Sequence, residues 1–286
     1  MKVAVIGAGA MGKWLASFAK KNLGEVTVAD INPARAKDVA SELGASAKPI
    51  REAAAEAELL LVAVPISKTP ETVVSLSEMV PKGALLADVA SVKSDVVAAM
   101  RKIKTNIELV SIHPLFGPGA ESIAGKDVVV VPVKPGKRYL ELKKRLVELG
   151  ARVTEMDAEQ HDRLMSIIQC MTHFVLLAYL TAIKSMKGLE KVRGLRTPMF
   201  AALMNLAKAV LAGNPEVYGE LQVHNRYARI VRSSMLEACR SLDIAFSAGD
   251  VKSAKIIFKE ALAPFGAEEA KRAYQELYKK FEGGIT

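Results

Sequence analysis

The sequence predicts a doubly wound α/β domain followed by an all-α domain. Three observations carry that prediction. Over residues 1–156, short β-branched runs alternate with helical stretches. Over residues 157–286 the strand pattern stops and helical segments alone remain. A length of 286 residues exceeds one typical domain and lets each part enclose its own core.

Strands are expected at residues 3–6, 26–29, 59–64, 84–88, 109–112, 128–133 and 152–155. Their runs are apolar on both faces, which fits a parallel sheet covered by helices. In the second part, Asp157 with Gln160 three residues on has the form of a capping box that opens a long helix. Gly188 and residues 194–198 mark its end. Gly213-Asn214-Pro215 and Pro264-Phe265-Gly266 mark later breaks.

Hydrophobic residues make up 50% of the chain and charged ones 25%, the composition of a globular protein and not a disordered one. Cys170 and Cys239 lie in apolar helical stretches without CxxC spacing, so both read as packing residues in a reducing compartment, and no metal site is expected. The net charge of +9 attracts small anions. Nucleic acid is not expected, because no basic run is interleaved with aromatics, which are 5% of residues. A strand starting directly after Met1 leaves no room for an export signal, so a cytoplasmic protein is expected. Residues 164–183 carry no Asp, Glu, Lys or Arg over about the length that spans a bilayer. Ser166, Gln169, Thr172, His173 and Thr181 within it favour a buried central helix of a soluble protein over a membrane span.

The first strand runs straight into Gly7-Ala8-Gly9-Ala10-Met11-Gly12 and then a helix, which is GxGxxG in the context that gives it meaning. Gly7 permits the tight turn, Gly9 lets a pyrophosphate approach the backbone, and Gly12 lets the helix pack on the strand. The helix N-terminus, with Ala10 and Met11, presents free N–H groups to phosphates. The second strand ends at Asp30, where a carboxylate binds ribose hydroxyls and repels a 2′-phosphate. NAD is therefore preferred over NADP, with Arg35 as the counter-indication. Val64-Pro65, after a central strand, falls on the edge where ligands bind in open α/β sheets, or is a simple strand terminator.

Two segments follow later strands of the first domain: Asp88-Val89-Ala90-Ser91-Val92-Lys93 and Ser111-Ile112-His113-Pro114-Leu115-Phe116-Gly117-Pro118. Both open onto the cofactor edge. A His at a strand end, held by a following Pro, is suited to general-base work, with activity falling on the acid side near an ordinary imidazole pKa of about 6.5.

With these segments the chain resembles the prephenate/arogenate dehydrogenase family of tyrosine biosynthesis over nearly its whole length. The resemblance rests on the GxGxxG start, the segment ending at Lys93, and His113 to Pro118, similar to the family's His-Pro-Met-Phe-Gly-Pro. It continues through Glu159-Gln160-His161-Asp162 and Thr172-His173-Phe174. It implies oxidative decarboxylation of a cyclohexadienol, prephenate or arogenate. His113 would deprotonate the ring hydroxyl, and Ser91 would orient that hydroxyl or the imidazole. Lys93, His173 and Gln169 are the implied substrate-pocket residues. A helix cap is the alternative reading of Ser91, and a solvated first-turn residue that of Lys93. His161, beside Asp162 in a helix's first turn, is expected to be exposed and structural. His173 on an apolar helix reads by default as a paired core His.

One departure stands out. Family members of this type place an Arg shortly after a Ser-Pro or Thr-Pro step to bind a substrate carboxylate, but here Thr197-Pro198-Met199-Phe200 leads to Ala201. Arg196, or failing it Arg193, is expected to replace it; the alternative is that both face solvent and Lys93 or another donor holds the carboxylate. A β-hydroxyacid dehydrogenase is disfavoured, because residues 165–180 lack the Lys and Gly that its interdomain helix needs. An NAD-sensing regulator without catalysis would leave His113 without a role. The apolar helical domain favours a homodimer.

Overall fold

The computed structural model describes residues 1–186, 195 and 197–282. The strands are β1 (Lys2–Ile6), β2 (Glu25–Ala29), β3 (Ser46–Ala47), β4 (Leu59–Val62), β5 (Leu85–Asp88), β6 (Glu108–Pro114), β7 (Asp127–Lys134) and β8 (Arg152–Glu155). They form one 8-stranded sheet in the order β3-β2-β1-β4-β5-β6-β7-β8. The accompanying helices are α1 (Ala10–Asn22), α2 (Pro33–Leu43), α3 (Ile50–Glu56), α4 (Thr69–Ser77), α5 (Ser94–Met100), α6 (Lys137–Glu148) and α7 (Ala158–Met165).

The sheet is not wholly parallel, as the sequence led us to expect. Strands β1 to β6 pair parallel, but β7 runs antiparallel to β6, and β8 follows β7 in parallel. The connection over residues 115–126 contains no helix to carry the chain back across the sheet, so it returns beside β6 as a hairpin. The short β3 was not foreseen, because two small residues give no periodic signal.

Alternation along the strands divides the core into two faces. Val3, Val5, Leu59, Leu61, Val110 and Ile112 pack under Leu15 and Ala19 of α1, Val39 of α2 and Leu142 and Leu146 of α6. On the other face Ala4, Ile6, Leu60, Val62, Leu86 and Leu109 meet Ala54 of α3, Val73 of α4, Val96 and Met100 of α5 and Ala158 at the start of α7. Burying both faces explains the near-continuous apolar strands. It also fixes the side on which alternate β6 residues, Ser111 and His113 included, emerge.

The chain separates into two compact units, Met1–Met165 with Val223–Arg226, and Ser166–Gln222 with the chain from Tyr227. Asp157 accepts from the Gln160 amide (2.8 Å), the cap read from the sequence. The rest of the described chain forms a π-helical segment (Ser166–Met171), α8 (Thr172–Ser185), α9 (Pro198–Leu211), α10 (Pro215–His224), α11 (Ala228–Ser247), α12 (Val251–Leu262) and α13 (Ala267–Glu282), all in the second unit except the last two residues of α10. The buried clusters of that unit are small: Cys170 with Ala228 and Val231, and Leu176 with Ala207 and Val210.

Two expectations fail in this unit. Cys239 is exposed, not packed. The apolar stretch expected to be a buried central helix belongs to the helical run Ala158–Ser185, whose most apolar window (mean hydropathy 1.6) is only 17% buried within the chain. Ile167 and Ile168 are both more than half exposed. The described residues supply too few facing side chains to cover this helix.

The glycine loop after β1 generates a test of the packing. A Cβ on Gly12 would lie 1.8 Å from the Gly7 carbonyl oxygen, backbone that cannot yield, whereas a Cβ on Gly9 meets nothing within 4 Å. Gly12→Ala is expected to lower stability by roughly 1–3 kcal/mol. Gly9→Ala should stay within about 1 kcal/mol of wild type, as for a lost helix-cap preference. Thermal unfolding of the two variants measures the difference.

Candidate active site

Because β1, β2, β4, β5 and β6 run parallel, their carboxyl ends share one edge of the sheet. The residues picked out for cofactor and chemistry in the first unit gather there. Gly7 adopts φ +106°, and a side chain on it would strike the Ala63 carbonyl at 2.2 Å. Gly9 and Ala10 are exposed and Met11 half-buried at the start of α1, whose first turn has no acidic residue. That helix end offers unpaired amides and open space to a diphosphate. Asp30 follows β2, its Oδ2 accepting from the Ala8 amide (2.7 Å) and its Oδ1 from the Asn32 amide (2.8 Å). These bonds hold the carboxylate beside the glycine loop, where a ribose would lie. The set fits a dinucleotide. Strand β4 stops at Val62, so Val64 and Pro65 sit in the loop beyond it, half-buried and exposed respectively.

Deeper on the same edge lies a buried polar cluster. His113, in the penultimate position of β6, is buried on the face that α7 covers. Its Nδ1 lies 2.8 Å from His161 Nε2, and His161 Nδ1 lies 2.8 Å from Asp162 Oδ1. Asp162 Oδ1 also accepts from the Lys93 amide (2.8 Å), while Oδ2 accepts from the Ser94 amide (2.8 Å) and the Ser94 hydroxyl. Asn225 Nδ2–H donates to the Asp162 carbonyl (2.8 Å). A carboxylate surrounded by donors acts as an acceptor. His161 therefore carries its proton on Nδ1, its Nε2 accepts from His113 Nδ1–H, and the lone pair of His113 lies on Nε2.

Lys93 is neither a solvated residue nor, as expected among the substrate-binding candidates, a group presented to ligand. It is fully buried, and its ammonium donates to the Ile112 carbonyl (2.7 Å) and to Asp88 Oδ1 (3.3 Å). Burial lowers its pKa against the opposing pull of Asp88 and Asp162. Its bonds tie the end of β5 to the residue before His113. His161 likewise departs from the exposed position expected for it and is fully buried. Ser91 is half-buried in the loop after β5, and α5 has no side-chain cap, so the capping alternative for Ser91 falls away.

The electrostatics follow from burial. Burial, reinforced by His161 and Lys93, holds His113 well below the ordinary imidazole value of 6.5. For Asp162, burial works to raise the pKa, but the bonds from His161, Ser94 and the two amides outweigh it and the group titrates low. The ordinary imidazole value near 6.5 expected for His113 from the sequence does not hold.

In the second unit, Gln169 is half-buried in the π-helical segment. His173, in the first turn of α8, is half-buried with its ring edge-on to Tyr218 (centroids 4.6 Å apart). Its Nδ1 is buried without a hydrogen-bond partner among the described residues, unlike the paired core His the sequence favoured. Thr197 caps α9, its hydroxyl accepting from the Phe200 amide (3.3 Å). Arg193 and Arg196 lie outside the described residues. Reading the sequence missed Asn225, which no motif marks, and misjudged His161. Ala158, His161, Asp162 and Met165 recur at the spacing of one helix face, and all are buried.

Comparison with known proteins gives the family. The family described as "Prephenate dehydrogenase, nucleotide-binding domain" matches residues 15–155, and "Prephenate dehydrogenase, dimerization domain" matches residues 157–259. A 4-amino-4-deoxyprephenate dehydrogenase of Streptomyces pristinaespiralis is 30% identical over 93% of this chain and 92% of its own length. A probable arogenate/prephenate dehydrogenase of Methanocaldococcus jannaschii is 27% identical over 94% of this chain, which spans 61% of that longer relative. The solved prephenate dehydrogenase of Aquifex aeolicus, in complex with hydroxyphenyl propionate and NAD+, has a similar fold. Its TM-score is 0.69 at 21% identity, covering 99% of this chain and 98% of that one. The chain belongs to the prephenate dehydrogenase family, with that family's nucleotide-binding domain followed by its dimerization domain.

Proposed function

We propose that this protein is an NAD-dependent prephenate dehydrogenase, converting prephenate to 4-hydroxyphenylpyruvate and CO2 in tyrosine biosynthesis. The observation that carries the reading is His113: a buried imidazole, kept uncharged at neutral pH, at the strand edge that also bears the glycine loop and Asp30. The bound nicotinamide supplies a hydride acceptor for the ring carbon that bears the hydroxyl. His113 Nε2 takes the hydroxyl proton as the carbonyl forms, and loss of the ring carboxylate as CO2 then leaves an aromatic ring. Ser91 orients the hydroxyl. Gln169 and His173 bind substrate, and Arg196, or failing it Arg193, supplies the cation for a carboxylate. Lys93 is not that cation, since its ammonium is held by Asp88 and the Ile112 carbonyl.

The relatives favour two further substrates, arogenate and a ring carrying an amine in place of the hydroxyl. A neutral base serves all three. A cytoplasmic homodimer completes the proposal. It is supported by the dimerization-domain match and by exposed apolar residues such as Ile244 and Phe258, 70% and 74% accessible on α11 and α12.

The direct test is fluorescence of NADH formed with prephenate, arogenate and the amino analogue, with NAD and NADP in turn. NAD should be the better cofactor, and Asp30→Ser should narrow the preference by removing repulsion of the 2′-phosphate. Equal use of NADP by the wild type would remove that role from Asp30. His113→Ala should lower kcat by roughly 10²- to 10⁴-fold with NAD affinity unchanged. Protonation abolishes base function, and the His113 pKa is depressed, so the acid limb of wild-type kcat/KM should lie well below pH 6.5. A limb at or above that value would show that another group controls the rate. For the carboxylate, Arg196→Ala should raise KM or lower kcat/KM at least about tenfold without weakening NAD binding, the loss expected of a charge-assisted contact. If Arg196→Ala and Arg193→Ala both behave like wild type, another donor holds it.

A further inference from the structure

We propose that His161 and Asp162 form a proton relay behind His113. As His113 Nε2 takes the substrate proton, its Nδ1 proton passes to His161 Nε2, and Asp162 holds the resulting imidazolium. This deepens the proposed role of His113 and rests on it. Each transfer breaks one bond to hydrogen and makes one: the substrate O–H is replaced by His113 Nε2–H, and His113 Nδ1–H by His161 Nε2–H. Only protons move, and the proton already on His161 Nδ1 stays on the Asp162 bond.

The geometry is continuous. His113 to His161 and His161 to Asp162 are both 2.8 Å, and all three residues are buried, so water does not compete for the bonds. The groups facing the imidazole pair are Lys93, which follows β5, Asp88 at the end of β5, and Asp162 on α7. Around His161, Lys93 works against a proton, while Asp162 and Asp88 work in its favour. The two imidazoles also differ. Burial lowers both, and His161 and Lys93 push His113 further down, whereas for His161 the hydrogen bond and charge of Asp162 oppose the lowering. Of the two rings, His161 is the better place for the proton to rest. Asp162 in turn is fixed by the Lys93 and Ser94 amides, so the acceptor is positioned before the proton arrives.

His161 is thus a positioning residue with a second duty, and the duties separate by substitution. His161→Gln keeps an acceptor for His113 Nδ1–H but cannot take up a proton, and His161→Leu removes both. With the 4 histidines labelled with 15N, long-range 1H–15N spectra of the full-length wild type should show His113 and His161 both protonated on Nδ1. His161→Gln should lower kcat at least about tenfold, as for loss of a proton-transfer group, with KM and NAD affinity within about twofold of wild type. The rate in mixed H2O and D2O should depend on deuterium fraction with curvature in the wild type, from two protons in flight, and linearly in His161→Gln.

A His113 protonated on Nε2 in the wild type, a linear wild-type isotope dependence, or wild-type turnover by His161→Gln would each overturn the relay. If His161→Gln fails to fold, the wild-type spectra and isotope dependence still decide. If the wild type oxidises none of the three cyclohexadienyl substrates, the proposed function fails and the relay with it; if it does oxidise one, a His113 protonated on Nε2 overturns the relay alone.

Discussion

The first unit is organised around one buried carboxylate. Asp162 accepts from the Lys93 and Ser94 amides, the Ser94 hydroxyl and His161 Nδ1. Hydrogen bonds to a charged group contribute about 1.5–3 kcal/mol each, and breaking a buried pair by removing one partner costs about 3–5 kcal/mol. Those bonds join the start of α5 to α7 across a sequence separation of 69 residues. The buried histidines at that edge depend on the junction, through the tautomer of His161 and the orientation it gives His113, and the Asp162 carbonyl also accepts from Asn225. Lys93 works from the opposite side, its ammonium pulling the Ile112 carbonyl and Asp88 together. A base needs a fixed ring more than a mobile one, and here both neighbours of the ring are fixed.

What the sequence revealed divides along the same line. The placement of the glycine loop and Asp30 was legible because it depends on a local turn and on spacing along one β-α-β unit. His113 was legible because a strand end followed by proline is also local. Lys93 and His161 were misjudged because a long or polar side chain in a first helical turn is usually solvated, and only tertiary packing inverted that rule. Helical spacing did hold a clue, since Ala158, His161, Asp162 and Met165 form one stripe with two polar members. Such a stripe, polar yet buried, marks a satisfied network more often than a surface. The reversal of β7 left its trace as well, in a connection too irregular for a crossover helix.

The second unit shows the limit of hydropathy. The run Ala158–Ser185 has the length and apolar character of a membrane span, yet Gln169, Thr172 and His173 interrupt it. An apolar helix face needs a dry neighbour, and hydropathy does not say whether lipid or protein provides it. The family match over this part of the chain is to a dimerization domain, and exposed apolar side chains are spread over several of its helices.

A last consequence concerns the chain's single tryptophan. Trp14 sits on α1 one helical step beyond the glycine loop, stacks on Phe18 (5.4 Å) and meets Phe116 edge-on (5.0 Å). Its indole N–H donates to the Ala120 carbonyl (2.6 Å), which clasps the hairpin loop after His113 to the nucleotide-binding helix. Indole emission, excited at wavelengths the 6 tyrosines do not absorb, therefore originates at one point, where α1 and the loop after His113 touch. The molecule carries a built-in optical reporter whose colour and intensity register the polarity and closure of that junction, with no label attached.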